Sequence, residues 1–252
     1  MDQAGSVILV NQTLTAESFP GARLVIKRGL PQGIWLMVGP PGGGKSTYCK
    51  QFIYEGLRAG QDAIWVSTEE SPSLMIEGLR ALDPPLRETD LHKHLRIVDC
   101  YSWRAGEKSE TPFAVSNPSN LNDTNIVIES ARKGLTNFRY VLDSISSLAL
   151  SAGGGAMQKF LQISIARLRS ANASGICVAE LGAHEELFMN YLRFAFDGIM
   201  EMEYQEDGDA MRRTFRIFSM RGVGHTSNRH EFTLDDKGIS FRESSNDRSG
   251  KW

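Results

Sequence analysis

Short apolar runs alternate, over the first two thirds of the chain, with segments whose apolar residues recur at helical spacing. The runs are typical of buried strands, and the spaced segments are typical of amphipathic helices. Strands are predicted over 33–38, 62–67, 95–99, 139–143 and 175–179, and helices over 47–57, from 71, over 123–135 and over 157–171. This alternation predicts an α/β fold with a mainly parallel central sheet covered by helices on both faces.

The last third of the chain changes pattern. Strands separated by polar turns are predicted over 198–203, 214–220, 231–234 and 239–241. They indicate a C-terminal antiparallel extension on the parallel core, and alternating segments at 6–10 and 23–26 add strand-like pieces before it. Because no internal repeat is present, we expect a single domain over 1–243 and a polar, flexible tail over 244–252.

Two stretches interrupt these elements. Residues 101–122 form a long polar segment rich in Ser, Pro, Asn and Gly, which in a compact domain is usually functional or disordered. Residues 151–156 are small and glycine-rich and are expected to be flexible, directly before the predicted helix at 157.

Composition narrows the class of protein. The chain has 252 residues, 41% of them hydrophobic, which suffices for one large core. Its net charge of −2 makes a general nucleic-acid binder less expected, and its three cysteines have the scattered spacing of buried thiols, not of a disulfide frame or zinc site. The N-terminus lacks the pattern of a secretory signal, and no apolar run reaches membrane-spanning length. We therefore expect a cytoplasmic protein without membrane insertion.

The strongest candidate for chemistry follows the first central strand. Residues 39–46 match the phosphate-loop pattern G-x-x-x-x-G-K-S, between a predicted strand and a predicted helix. Glycines allow backbone N–H groups to converge on phosphate oxygens, Lys45 adds a positive charge for the β- and γ-phosphates, and the Ser46 hydroxyl suits a Mg²⁺ ion. The predicted ATP-binding residues are Gly39, Pro40, Pro41, Gly42, Gly43, Gly44, Lys45, Ser46 and Thr47.

Three acids follow predicted strands and should emerge at the same sheet edge. Asp143 ends the strand 139–143 and, with Ser46, is the predicted metal ligand, although a helix-capping role is the plain alternative. Glu69 and Glu70 follow the strand 62–67, where they could polarise water or simply favour the start of a helix. Together these acids predict a phosphoryl-transfer site.

Other polar clusters are weaker candidates. Arg212, Arg213 and Arg216 are interpreted as a solvated strand edge, whereas Arg221 before Gly222 could project toward a neighbouring molecule. The segments 92–94 and 184–186 contain histidines but too few ligands for a metal site, so both are interpreted as exposed polar surface.

The segments 65–72 and 212–222 extend these observations to a known family. Trp65-Val66-Ser67-Thr68-Glu69-Glu70-Ser71-Pro72 resembles the strand, paired glutamates and Ser/Thr-Pro of the KaiC-like branch of the RecA-type ATPases. The stretch 212–222, followed by His225, Phe232 and Gly238-Ile239, is similar to that family's C-terminal strand, L-R-G turn and closing hairpin. With the phosphate loop and Leu142-Asp143-Ser144, the resemblance covers roughly residues 30–241.

The resemblance implies a RecA-like P-loop ATPase that binds ATP and Mg²⁺ between the subunits of a six-membered homo-oligomeric ring. One subunit would supply Lys45, Ser46, Asp143 and the glutamates, and its neighbour would supply the L-R-G turn. Family roles make Glu69 the general base, Glu70 its support and Arg221 a catalytic cation acting in trans.

This sequence departs from the family at Ser219, where a lysine usually stands two residues before the arginine, and at Val223 and Gly224. A trans-acting arginine supplies about 10³–10⁵ in rate, or about 4–7 kcal/mol. Losing one of two such charges should slow hydrolysis more than it weakens binding, because the loop amides still hold the ground state. We therefore expect ATP binding with slow turnover.

Alternatives remain open at this stage. ATP occupancy could control ring assembly or an unidentified protein partner in regulation, or the protein could be a nucleotide-dependent scaffold similar to the ATP-binding subunit of the archaeal motility machine. A recombinase paralogue acting on DNA is less expected, because the segment 151–156 carries no charge. The sequence does not indicate whether a protein side chain can accept the phosphoryl group.

Overall fold

The fold is described by a computed structural model that covers residues 31–82, 85–207, 210–222, 224–235 and 237–242. The predicted strand-like segments at 6–10 and 23–26, and the predicted tail from 244, lie outside the described residues.

Ten strands of the described residues form one sheet in the order β10-β9-β8-β7-β1-β6-β5-β2-β3-β4. Their bounds are β1 Ile34–Gly39, β2 Ala63–Ser67, β3 Leu95–Asp99, β4 Phe113–Ala114, β5 Arg139–Asp143, β6 Ser174–Glu180, β7 Gly198–Asp207, β8 Ala210–Met220, β9 His230–Asp235 and β10 Gly238–Phe241. The helices are α1 Lys45–Arg58, α2 Pro72–Arg80, α3 Glu88–His94, α4 Leu121–Arg132, α5 Ile145–Ala152, α6 Gly154–Ser170 and α7 Glu186–Ala195.

Neighbouring strands from β7 through β1, β6, β5, β2 and β3 to β4 pair in parallel. On the other side of β7, the pairs β7–β8, β8–β9 and β9–β10 are antiparallel. The predicted α/β class, with a mainly parallel sheet and a C-terminal antiparallel extension, is confirmed. Each strand of the parallel core leads into its next strand through a segment that contains helix or turn, which is the connection that parallel pairing requires.

Hydrophobic clusters cover both faces of the sheet. Alternate residues of β1 divide between them, since Ile34, Leu36 and Val38 belong to one cluster and Trp35 and Met37 to the other. The first cluster includes side chains of α4 to α7, and the second includes side chains of α1, α2 and the antiparallel strands. The central strands are therefore buried on both sides, as their continuous apolar sequences predicted.

Helix boundaries differ from the predicted ones around the glycine-rich stretch. Ser151 and Ala152 end α5, and Gly153, with φ 87°, separates it from α6, which begins at Gly154. The segment 151–156, which was expected to be flexible, is thus helical on both sides of Gly153, whose positive φ is open to glycine and joins the two helices at a single residue.

The long polar stretch 101–122 also contains regular structure. It includes a 3₁₀ helix over Ser102–Ala105 and the two-residue strand β4, and its end is the start of α4. The cap of that helix is Asn120, which accepts a hydrogen bond from the N–H of Asn122, so the helix begins before the predicted start at residue 123. The three cysteines are free and buried, as predicted.

Gly198 is required where β7 crosses the ring of Trp35. A Cβ at Gly198 would lie 2.2 Å from Trp35 Cζ3 and 2.9 Å from the carbonyl oxygen of Ser219. We expect Gly198→Ala to lower the free energy of unfolding by about 1–3 kcal/mol, since a buried site must expand to accept the methyl group. Urea unfolding measures the difference.

Gly155→Ala is the matched control for this substitution. Gly155 lies in the first turn of α6 with no neighbouring atom within 4 Å of an added Cβ, so the control should be neutral or slightly stabilising. Equal effects of the two substitutions would contradict the packing account.

Candidate active site

The loop between β1 and α1 is shaped to bind an anion. Gly42 and Gly44 have φ values of 71° and 99°, and the N–H of Gly43 donates to the carbonyl of Pro40 at 3.1 Å. Helix α1 begins at Lys45, and its N-cap Gly44 supplies no side-chain acceptor. The N–H groups of the first turn are therefore available to a ligand, together with the positive end of the helix dipole.

Lys45 lies inside this loop. Its Nζ donates to the carbonyl oxygens of Pro40 at 2.8 Å and Gly39 at 3.1 Å, and to Oε2 of Glu180 at 2.9 Å. The side chain is only 5% exposed, and these three acceptors hold the ammonium beside the loop.

Asp143 and Ser46 meet at the carboxyl ends of β5 and β1. The Ser46 hydroxyl hydrogen-bonds the carboxylate, which brings together the two side chains predicted as metal ligands. Burial raises the pKa of Asp143 to about 6, and the negative charges of Glu70 and Glu69 act in the same direction. The bond from Ser46 opposes this shift, as a bound cation also would.

Glu69 lies at the same edge and is held by hydroxyl groups. It accepts hydrogen bonds from Ser144 Oγ at 2.9 Å and from Ser147 Oγ. Thr68, the preceding residue, binds the backbone of Asp143 and Ser144 and so fixes β2 to β5 at this point. The carboxylate of Glu69 is exposed, which leaves it open to a water molecule or a ligand.

Glu70 has a different environment from its neighbour. Its Oε2 accepts a hydrogen bond from Nζ of Lys50 on α1 at 2.8 Å, and both side chains are 16% exposed. Its Oε1 is buried without a hydrogen-bond partner among the described residues. The two adjacent acids therefore have different partners: Glu69 is bonded to Ser144 and Ser147, and Glu70 to Lys50 of α1.

Arg221 lies at the opposite end of the sheet. It follows Met220, which pairs with Gly198, and Gly198 pairs with Trp35 near the start of β1. The N–H of Arg221 donates to the carbonyl of Asp197 at 2.9 Å, and its exposed guanidinium binds the carbonyl of Phe194. The length of β1, about 17 Å at 3.3 Å per residue, separates it from the phosphate loop of its own chain.

The sequence did not predict that Glu180, Tyr204 and Arg213 lie near the phosphate loop. Glu180 ends β6 beside Gly39 and pairs with Lys45. Tyr204 extends past β1, and its hydroxyl lies 3.1 Å from where a Cβ of Gly42 would be. The guanidinium of Arg213 lies over the Tyr204 ring at 5.6 Å, so interpreting Arg213 as a solvated edge was incomplete. No short motif marks these residues, because only strand pairing brings them to the loop.

Two further interpretations need correction. His184 was assigned to an exposed polar turn, but it is half-buried, and its Nε2 lies 2.8 Å from Ser146 Oγ. Burial lowers the pKa of His184. Arg216 was assigned to a solvated edge, but it forms an ion pair with Glu201 and lies over the ring of Phe218 at 5.1 Å.

Comparisons with known proteins identify the family of this chain. A family model described as "ATPase: KaiC" matches residues 20–246, and the chain therefore belongs to the KaiC ATPase family. A UPF0273 protein of Methanopyrus kandleri is 28% identical over 223 residues, covering 87% of this chain and 88% of that protein. A UPF0273 protein of Thermotoga maritima is 26% identical over 224 residues, covering 87% and 92%.

The fold also matches a solved structure. The crystal structure of a KaiC-like protein from Pyrococcus horikoshii superposes with a TM-score of 0.71 at 20% identity, covering 92% of this chain and 100% of that one. This likeness shows the fold. Within the described part of the chain, no helix is long and apolar enough to cross a membrane.

Asp99 ends β3 close to the site but has a structural role. Its carboxylate accepts hydrogen bonds from the N–H groups of Tyr101 and Ser102 and from the hydroxyls of Ser102 and Ser109. Burial alone would raise the pKa of Asp99, but these bonds outweigh it and hold the pKa below its usual value. The carboxylate thus anchors the start of the 101–112 loop in its ionised form.

We expect Asp99→Asn to lower the free energy of unfolding by about 2 kcal/mol at neutral pH, because charge-assisted hydrogen bonds are lost. A lowered folded-state pKa contributes stability that is present above the unfolded pKa, about 3.9 for aspartate, and is lost as the pH falls through the folded value. The difference in the free energy of unfolding between wild type and Asp99→Asn should therefore become smaller below about pH 4.

Urea unfolding at several pH values measures this dependence. Asp123→Asn, in the first turn of α4, is the control for removing an aspartate charge elsewhere. The contrary result is that the two proteins differ in free energy of unfolding by the same amount from neutral to acid pH. That result would show that the charge of Asp99 does not anchor the loop.

Proposed function

We propose that this protein binds ATP at the phosphate loop and hydrolyses it slowly. The observation that carries the proposal is the convergence of Lys45, the hydrogen-bonded pair Ser46–Asp143 and the exposed Glu69 at one edge of the sheet. Membership of an ATPase family supports the same reaction. The nucleotide state would control ring assembly or the binding of an unidentified protein partner in the cytoplasm.

The residues fit a nucleotide and a magnesium ion. Positive φ values at Gly42 and Gly44 and the uncapped start of α1 provide an anion cradle. Ser46 and Asp143 offer the oxygen ligands that Mg²⁺ prefers, and few protein ligands are needed because phosphates and water complete its coordination. A bound Mg²⁺ would neutralise charge on the β- and γ-phosphates.

In the proposed hydrolysis, Glu69, Glu70 and Lys45 each have a separate role. Water attacks the γ-phosphorus, the bond to the β–γ bridging oxygen breaks, and ADP and inorganic phosphate leave. Glu69 orients that water and accepts its proton. Glu70 is the supporting acid, and its ion pair with Lys50 holds it at the same edge of the sheet. Lys45 stabilises the negative charge on the phosphate oxygens.

The position of Arg221 supports a contribution in trans. The strand length that separates it from its own phosphate loop prevents a role in its own site, whereas an exposed edge position can face a neighbouring subunit. A closed ring, expected to have six subunits, would place one such arginine at every site. Because Ser219 replaces a second cation, the completed site should turn over slowly.

A scaffold that binds ATP without needing hydrolysis is the second candidate. Ser219 favours it, as does the fact that Glu69 is bonded to two serine hydroxyls. A role on DNA is less expected, because the glycine-rich stretch is uncharged and lies within helices.

Replacing Glu69 distinguishes the enzyme from the scaffold. We expect Glu69→Gln to lower the steady-state rate of phosphate release by roughly a hundredfold or more, since it removes a general base, while ATP affinity stays close to wild type. Glu107→Gln, at an exposed position in the 101–112 loop, should leave the rate unchanged. Identical rates for Glu69→Gln and wild type would favour the scaffold.

Arg221 is tested by subunit mixing. We expect Lys45→Ala and Arg221→Ala each to be inactive alone, and a mixture to regain activity, because an intact loop then meets an intact arginine across an interface. The rate per wild-type subunit should also rise with concentration as rings form, and native mass measurement with and without ATP and Mg²⁺ follows the assembly.

Arg104→Ala, another exposed arginine, is the control for loss of positive charge in the same assays. A flat rate per subunit across the assembly range, or no recovery in the mixture, would exclude a role for Arg221 in the neighbouring site.

A further inference from the structure

All three N–H donors of the Lys45 ammonium are hydrogen-bonded within the described structure. They bind two loop carbonyls, of Pro40 and Gly39, and the carboxylate of Glu180. An ammonium has only three N–H donors, so a phosphate oxygen can bind Lys45 only by displacing one of these acceptors. In the described structure the Lys45 ammonium therefore has no free donor for a phosphate oxygen.

The backbone of Glu180 is held firmly beside the loop. Glu180 pairs with Gly39 at the ends of β6 and β1, and the next N–H, of Leu181, donates to the Gly39 carbonyl at 3.0 Å. The N–H of Glu180 donates to Ser146 Oγ at 2.9 Å, and that oxygen also contacts His184. Because the backbone of Glu180 is fixed, rotation of its side chain determines whether its carboxylate contacts the Lys45 ammonium.

Of the three acceptors, Glu180 is the one that competes most directly with a phosphate. It is the only charged member of the set, and a charge-assisted hydrogen bond is about twice as strong as a neutral one. Its side chain is 31% exposed, so it can turn toward solvent, whereas the two carbonyls belong to the loop itself.

We propose that Glu180 is a positioning residue for Lys45: it holds the lysine inside the loop when no nucleotide is bound and must release it to the β- and γ-phosphates. The inference rests on the proposed nucleotide site. It implies that the Lys45–Glu180 pair lowers nucleotide affinity, so the chain carries its own competitor for the phosphate groups.

Glu180→Gln separates this role from a structural one. Glutamine keeps the size of the side chain and one acceptor oxygen but removes the charge. The nucleotide-free protein should lose thermal stability, because a buried ammonium loses its counterion, yet nucleotides should bind more tightly. A purely structural role would lower stability without tightening binding, so the two measurements are expected to move in opposite directions.

The binding measurement uses calorimetric titration with ADP, and with a non-hydrolysable ATP analogue, each in the presence of Mg²⁺. We expect Glu180→Gln to lower the dissociation constants by about tenfold or more, the amount that one charge-assisted hydrogen bond represents. Glu186→Gln, an exposed acid in the first turn of α7, removes the same charge nearby and should bind like wild type. In a Lys45→Ala background, Glu180→Gln should have no effect.

The outcomes separate this inference from the proposed function. Equal or weaker binding by Glu180→Gln, with wild type binding normally, would overturn the positioning role and leave the nucleotide site standing. Tighter binding that persists in the Lys45→Ala background would overturn it as well, because the effect would not pass through the lysine. Failure of wild type to bind either nucleotide would overturn the proposed function, and this inference with it.

Discussion

Parallel pairing of four buried strands is the constraint on which the candidate site depends. Gly39 pairs with Glu180 at the ends of β1 and β6, and Ser67 pairs with Asp143 at the ends of β2 and β5. Residues far apart in sequence thereby reach one edge, where the phosphate loop begins. A slip of one residue in any pair would turn its side chains to the opposite face, so the two hydrophobic clusters that fix the register also fix the chemistry.

The two aspartates on either side of β2 show how local bonding decides the state of a carboxylate. Asp143 and Asp99 both end buried strands. Four hydrogen bonds outweigh the effect of burial on Asp99 and lower its pKa, whereas burial, together with the charges of Glu70 and Glu69, raises the pKa of Asp143. Asp99 is thus held in its ionised form by hydrogen bonds from its own loop, whereas the raised pKa of Asp143 fits the cation that we propose it binds.

The sequence predicted nine of the ten described strands, and it predicted that the phosphate loop and the acids at 69, 70 and 143 follow them at one edge of the sheet. Each of these predictions depends on local pattern or on the rule that parallel strands end at one edge. It did not predict Glu180, whose pairing with Lys45 arises from a register across two strands. It also placed His184 and Arg216 in solvent, since a partner on another strand or helix is invisible to local periodicity. Glycine content did not reveal the helices around Gly153, because a glycine with positive φ can join two helices as well as form a loop.

In the proposed assembly, the distance between Arg221 and the phosphate loop would give each subunit two unlike edges. A contact that joins such edges is head-to-tail, and assemblies of this kind have a direction. An open row of subunits would leave one loop at its end without an arginine and one arginine at the other end without a loop. Closing the row removes both defects at once, so the last subunit to join would complete two sites while every earlier one completes a single site.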